Sequence, residues 1–204
     1  MIADLLSHTG FLAKGFSINL LISVTAMSVG TIIGVFLGLW RFKRHLGGSP
    51  LGGLGTSICR NVPSFLLLFY MASMVPSEVE VGSQIIALPL WIKATVALIF
   101  PVIGFASDQT LGYFQQRREG TSGAFETFAV AWLQYFLIII MASATASVIG
   151  ADEIVGRANI LISQSGDDSL LLPTYLFVSI WFISTGLLFS GVLKLILSRT
   201  NINS

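Results

Sequence analysis

The sequence predicts an all-α integral membrane protein with five transmembrane helices, its N-terminus outside and its C-terminus inside. Three observations carry this. The 204 residues are 54% hydrophobic and only 10% charged, with a mean hydropathy of +0.84, whereas soluble domains carry roughly a quarter charged residues. The apolar residues fall in uncharged blocks long enough to cross a bilayer, which takes about 20 residues in a helix. The charges between the blocks alternate in sign along the chain, and that alternation sets orientation. Residues 1–204 read as one transmembrane domain.

Residues 1–15 form a short outer segment. Asp4, His8 and Lys14 depart from the pattern of a cleaved signal peptide, while Ile2, Leu5, Leu6 and Phe11 suit a short interfacial helix. The first span is residues 16–40, with no charge from Phe16 to Trp40. Within it Gly30, Gly34 and Gly38 make one smooth helix face that lets a second helix approach closely, within the chain or across a subunit interface. Arg41, Lys43, Arg44 and His45 follow, then a connector, Gly47-Gly48-Ser49-Pro50-Leu51-Gly52-Gly53. The second span is residues 60–76, starting before Pro63, since proline is tolerated in a first helical turn.

The third span is residues 90–114, with Lys93 reaching the outer interface beside Trp91 and Asp108 inside the membrane. The fourth is residues 127–151, uncharged from Thr127 to Ala151. Its second half, Met141 to Ser147, is small and hydroxylated, a composition suited to meeting other helices or a polar path. The fifth is residues 169–193. Arg41/Lys43/Arg44, Arg117/Arg118 and Lys194/Arg199 follow spans one, three and five. Glu78/Glu80 and Asp152/Glu153/Asp167/Asp168 follow spans two and four, with Arg157 the one basic residue there. Basic loops stay inside, which gives the orientation.

No catalytic constellation is present, so the chain reads as a non-enzyme without a cofactor. Cys59 is the one cysteine, which excludes an internal disulfide and a multi-cysteine metal site; it reads as packing. His8 and His45 fall on opposite sides of the membrane and share no metal. No glycine-rich phosphate loop is present, so ATP hydrolysis is excluded for this chain.

These residues resemble the permease subunit of type I ABC importers of the polar amino acid group (histidine, glutamine, arginine and opines). In that family the first span opens with a glycine and a threonine-leucine pair and carries spaced glycines to a basic end. Gly15-Phe16-Ser17-Ile18-Asn19-Leu20, Gly30, Gly34, Gly38 and Arg41 are similar. Arg60-Asn61-Val62-Pro63 resembles the Arg-Gly-Thr-Pro that opens the family's second span, and Phe105-Ala106-Ser107-Asp108 its Ala-Tyr and acid. Late in span four, Met141-Ala142-Ser143-Ala144-Thr145, Ile149-Gly150 and Glu153-Ile154 resemble Lys-Asp-Thr-Ser-Leu, Ile-Gly and Glu-Leu. The likeness covers nearly the whole chain.

Two departures stand out. The family's coupling-helix loop, Gly-Gln, Glu-Ala-Ala and Leu-Gly, is shortened here to Gly120-Thr121, Gly123-Ala124-Phe125 and Phe128-Ala129, with Gly123 at the glutamate position. Met141 and Ala142 stand where the span-four lysine and aspartate would be.

The resemblance implies a bacterial inner-membrane, multi-pass subunit that imports polar amino acids by alternating access. Its implied partners are an ATP-binding subunit dimer, a periplasmic solute-binding protein, membrane lipid and a second permease, and nucleic acid is not among them. The departures imply that this chain is the degenerate half of a permease heterodimer. A non-transporting structural subunit is the alternative.

Asp108 is expected either to serve the translocation pathway or, as a partnered acid, to tie helices together, because an intramembrane carboxylate costs an estimated ~2.5–3.5 kcal/mol at a helix centre. Ser143, Thr145 and Ser147 either line the inner pathway together with Asp108 or bond to backbone and neighbouring helices. Gly120, Thr121, Gly123, Ala124, Phe125 and Phe128 form the expected ATPase contact. Arg117 and Arg118 set topology, or dock the ATPase.

Overall fold

The computed structural model describes residues 6–44, 51–81 and 84–200. Ile2, Leu5, His45 and the Gly47–Pro50 part of the connector lie outside them. The described chain is nearly all helical. Helix α1 is Thr9–Arg44, α2 Leu51–Asn61 and α3 Ser64–Met74; strands β1 (Glu78–Val81) and β2 (Gln84–Ala87) then precede α4 (Leu90–Arg118). Helix α5 (Ala124–Ser143) runs into a 3₁₀ stretch, Ala144–Ile149, before α6 (Ile154–Ser165), a short 3₁₀ turn and α7 (Leu171–Thr200). Among the described residues four helical segments, Thr9–Lys43, Leu90–Arg118, Ala124–Ile149 and Leu171–Leu195, are long and apolar enough to cross a membrane.

The second expected span differs: it is two short helices. The backbone ladder of α2 ends with Val62 N donating to Ile58 O, and that of α3 begins with Leu67 N donating to Pro63 O. Pro63 has no N–H and disfavours helix at the residue before it; at φ −62°, ψ 121° it sits outside the helix as its N-cap. Leu51, Gly52 and Gly53, read from sequence as connector, open α2. Three glycines weaken a helix by roughly 1 kcal/mol each relative to alanine. Docking compensates, with Gly52 buried against the Arg41 side chain and the Thr56 hydroxyl 2.9 Å from the Ser107 hydroxyl.

Helices α1 and α4 form the spine. A Cβ on Gly30 would lie 2.6 Å from Val102 Cβ, one on Gly34 2.6 Å from Ala106 Cβ, and one on Gly38 2.7 Å from Ser107 O. The glycine face thus packs within the chain. Ile22, Ala26, Met27, Leu98 and Val102 bury there with Phe136, Ile139 and Ile140 of α5. The Trp132 indole donates to Thr31 Oγ1 at 2.9 Å, and Tyr135 stacks on Phe105 with centroids 3.9 Å apart. A second cluster, Leu12, Phe16, Ile154, Ala158 and Val178, joins α1, α6 and α7. Leu6, expected at an interface, is exposed.

Lys93 does not reach out of the chain as expected. It is 2% exposed, and its Nζ donates to Val75 O at 2.7 Å, just beyond the C-terminus of α3. The ammonium is drawn inward because a helix end carries unsatisfied carbonyls and partial negative charge. The antiparallel hairpin of β1 and β2, with Glu78 opposite Ala87 and Glu80 opposite Ile85, was absent from the all-α expectation. It is short, and alternation over so few residues leaves little signal.

Candidate functional site

Asp108 is held by α1 and α2 together. Arg41 Nη1 donates to its Oδ1 at 2.8 Å and Arg60 Nη1 to its Oδ2 at 2.9 Å. Arg41 Nη1 also reaches the Ser107 hydroxyl at 3.0 Å, and a Cβ on Gly104 would meet the Arg60 backbone nitrogen at 2.8 Å. Three helices therefore converge on one carboxylate, and two guanidiniums against one acid leave an excess positive charge. The partners lie far off in sequence, so charge pattern alone did not pair them.

The hydroxyls of span four divide. Thr145 and Ser147 turn onto their own backbone, donating to Ala142 O and Ala144 O at 2.7 and 2.8 Å. Ser143 also donates to its own helix, at Ile140 O, and its oxygen accepts from Asn19 Nδ2 at 2.9 Å. Asn19 is fully buried and donates as well to Glu153 Oε2 at 3.0 Å, while its Oδ1 accepts from Ile154 N. Glu153, also fully buried, caps α6 by accepting from Val155 N and Gly156 N. Burial pushes its carboxyl above the usual glutamate range, against the three hydrogen bonds donated by Val155, Asn19 and Gly156, which pull it down.

Beside this node Arg157 makes a two-bond ion pair with Asp152, at 2.9 and 2.6 Å. It also donates to Phe11 O at 2.8 Å and lies over the Phe11 ring. Asn19 and Arg41 sit on one helix with a separation of roughly 33 Å at 1.5 Å per residue. The Asp108 and Ser143 clusters therefore occupy opposite ends of α1 and do not share one site. Asn19 was passed over in sequence because an uncharged amide barely interrupts an apolar run.

The expected ATPase contact has no helix of its own. Helix α4 continues to Arg118 and α5 starts at Ala124, with residues 119–123 making the turn. Gly120 and Gly123 take positive φ, 74° and 81°, a region that costs other residues steric strain. Thr121 N donates to Gln116 O, closing the α4 end, and Ala124 is buried. Phe125 is 66% exposed between two apolar hollows. One, of ≈ 290 Å³, is lined by Val35, Thr110, Tyr113, Phe114 and Phe128. The other, of ≈ 370 Å³, lies against Trp132, Leu133 and Phe189.

No family model matches the chain. The probable glutamine ABC transporter permease protein GlnP of Bacillus subtilis (strain 168) is 22% identical over 197 residues, spanning 87% of this chain and 88% of that protein. A crystal structure of an amino acid ABC transporter with histidines matches with a TM-score of 0.75 at 17% identity, covering 98% of both chains. In sequence and in fold, this chain resembles an amino-acid ABC transporter permease. The resemblance extends over most of the chain.

Proposed function

We propose that this chain is the transmembrane subunit of an ABC importer that moves polar amino acids or related small solutes across the bacterial inner membrane. Alternating access is the mechanism, with ATP hydrolysed on a separate subunit and no cofactor on this one. The observation that carries the reading is likeness over 87% of the chain in sequence and 98% in fold. Five spans, the second carried by α3 within residues 60–76, and the N-terminus outside are supported by the alternating loop charges. The chain works beside a second, motif-complete permease, a periplasmic solute-binding protein and an ATPase dimer.

Asp108, with Arg41 and Arg60, belongs to the inner end of the pathway; Ser143, Thr145 and Ser147 belong to the other end. Gly120 to Phe128 meets the ATPase. The test is affinity purification of the tagged chain in mild detergent. An ATPase recovered with a second permease supports the heteromeric importer, and an ATPase recovered with this permease alone replaces it with a homodimer. Recovery of the chain free of any ATPase overturns the importer and leaves a structural membrane subunit. That second reading is favoured by the bare turn at 119–123, where α4 passes to α5 with no helix between.

A further inference from the structure

Helix α3 is anchored unlike its neighbours. Where α1 and α4 interlock along a glycine face, α3 packs by one narrow face, Leu68 buried in the main core with Leu67 and Met71 partly buried against it, while Phe65, Leu66, Phe69, Tyr70 and Met74 are exposed. Its start is a break, since the backbone ladder stops at Val62 and resumes at Leu67. The element before the break is fixed, because Arg60 bonds to Asp108 and Thr56 to Ser107, both on α4. Its far end is caught by the 2.7 Å bond from the buried Lys93 to Val75 O.

A rod with a break at one end, one narrow packed face, and at the other end the Lys93 bond beside a backbone bond from Leu88 N to Ser77 O moves most easily by rotation about the break. We propose that α3 is a swinging element that pivots at 61–63 and is caught by Lys93. The catch satisfies a buried ammonium, whose burial without a partner would be costly. It differs from apolar contact in breaking and reforming at a defined geometry. Helix α3 lies against the 3₁₀ stretch Ala144–Ile149, so release would uncover the segment that carries Thr145 and Ser147. The motion itself does not depend on the transport reading.

Spin-label distances on the full chain in lipid nanodiscs test this. Labels go in a Cys59→Ser background at Val29 on α1 and, in turn, at Met74 or Phe65 on α3, with Val29 and Val96 as the pair that reports an intact α1–α4 spine. Lys93→Met should shift and broaden the Met74 distance by roughly 5 Å, the arc that a swing of about 20° gives a rod of about 16 Å. The Phe65 distance should hold, and Lys93→Arg should restore the original Met74 distance. An unchanged Met74 distance, or a Phe65 distance that moves as far, overturns the pivot. Should Lys93→Met lose the spine distance, Lys93→Gln takes its place under the same criteria.

Discussion

Asn19 and Glu153, 134 positions apart in the chain, meet in a buried hydrogen bond of 3.0 Å that ties α1 to the start of α6. The same amide group holds Ser143 and the Ile154 nitrogen. Asn19→Ala strips three partners at once and leaves a buried carboxyl short of a donor. The expected cost is about 3 kcal/mol, seen as a fall in unfolding free energy in detergent. A cost within about 0.5 kcal/mol would mean that the node is slack.

Glu153 also sets a pH dependence. Burial raises its folded pKa above the unfolded one, and the neighbouring negative Asp152 adds to the rise. The folded state then holds the proton more tightly than the unfolded state. Its stabilising contribution is full below the ordinary glutamate pKa and is lost as pH rises through the raised value. Unfolding midpoints measured across that window should fall with pH in the wild type, and Glu153→Gln should flatten the slope. An identical slope in both chains rules Glu153 out as the source.

Much of this architecture was legible from sequence, for reasons that separate the cases. Long uncharged runs and the four-residue glycine spacing are local patterns, and α1, α4, α5 and α7 follow from them, as does the close approach at Gly34. The break at Pro63 was read as a tolerated first turn, because sequence did not show that Leu51 to Asn61 would already be helical. Lys93 was placed at the interface by its charge, while its actual partner is a carbonyl exposed only by the end of α3. The partners of Asp108 and Asn19 come from distant elements, so their pairing is tertiary information.

The two arginines on Asp108 should contribute unequally. Arg41 is 19% exposed and also holds Ser107, whereas Arg60 is 58% exposed. Exposed ion pairs contribute about 0–1 kcal/mol because water screens them, and a partly buried pair with a second hydrogen bond contributes more, about 2 kcal/mol. Arg60→Ala should therefore leave the unfolding free energy nearly unchanged while Arg41→Ala lowers it. Equal losses would show that α2 docking, rather than desolvation of Arg41, dominates the cluster.

Glycine substitutions along α1 should split by surroundings. Gly34→Ala places a methyl 2.6 Å from Ala106 Cβ and 2.7 Å from Ile103 O, so α1 and α4 must separate. Overpacking of this kind costs about 1–3 kcal/mol. Gly10, on the same helix, has nothing within 4 Å, and Gly10→Ala should be neutral or gain up to about 1 kcal/mol from helix propensity. Thermal midpoints of the two variants, compared directly, decide whether the glycine face is the spine of the fold.

The turn at 119–123 allows strain and partner contact to be separated. Gly123 holds φ at 81°, so Gly123→Ala should cost about 1–2 kcal/mol from the left-handed conformation and lower the thermal midpoint. Phe125 is 66% exposed, and Phe125→Ala, having little to uncover within the chain, should change stability by less than about 0.5 kcal/mol. If this end meets the ATPase, Phe125→Ala should still reduce the ATPase recovered with the tagged chain, at unchanged chain yield. Full recovery with Phe125→Ala, alongside loss with Gly123→Ala, would assign the turn a purely structural role. An ATPase contact would then have to use other residues of the chain.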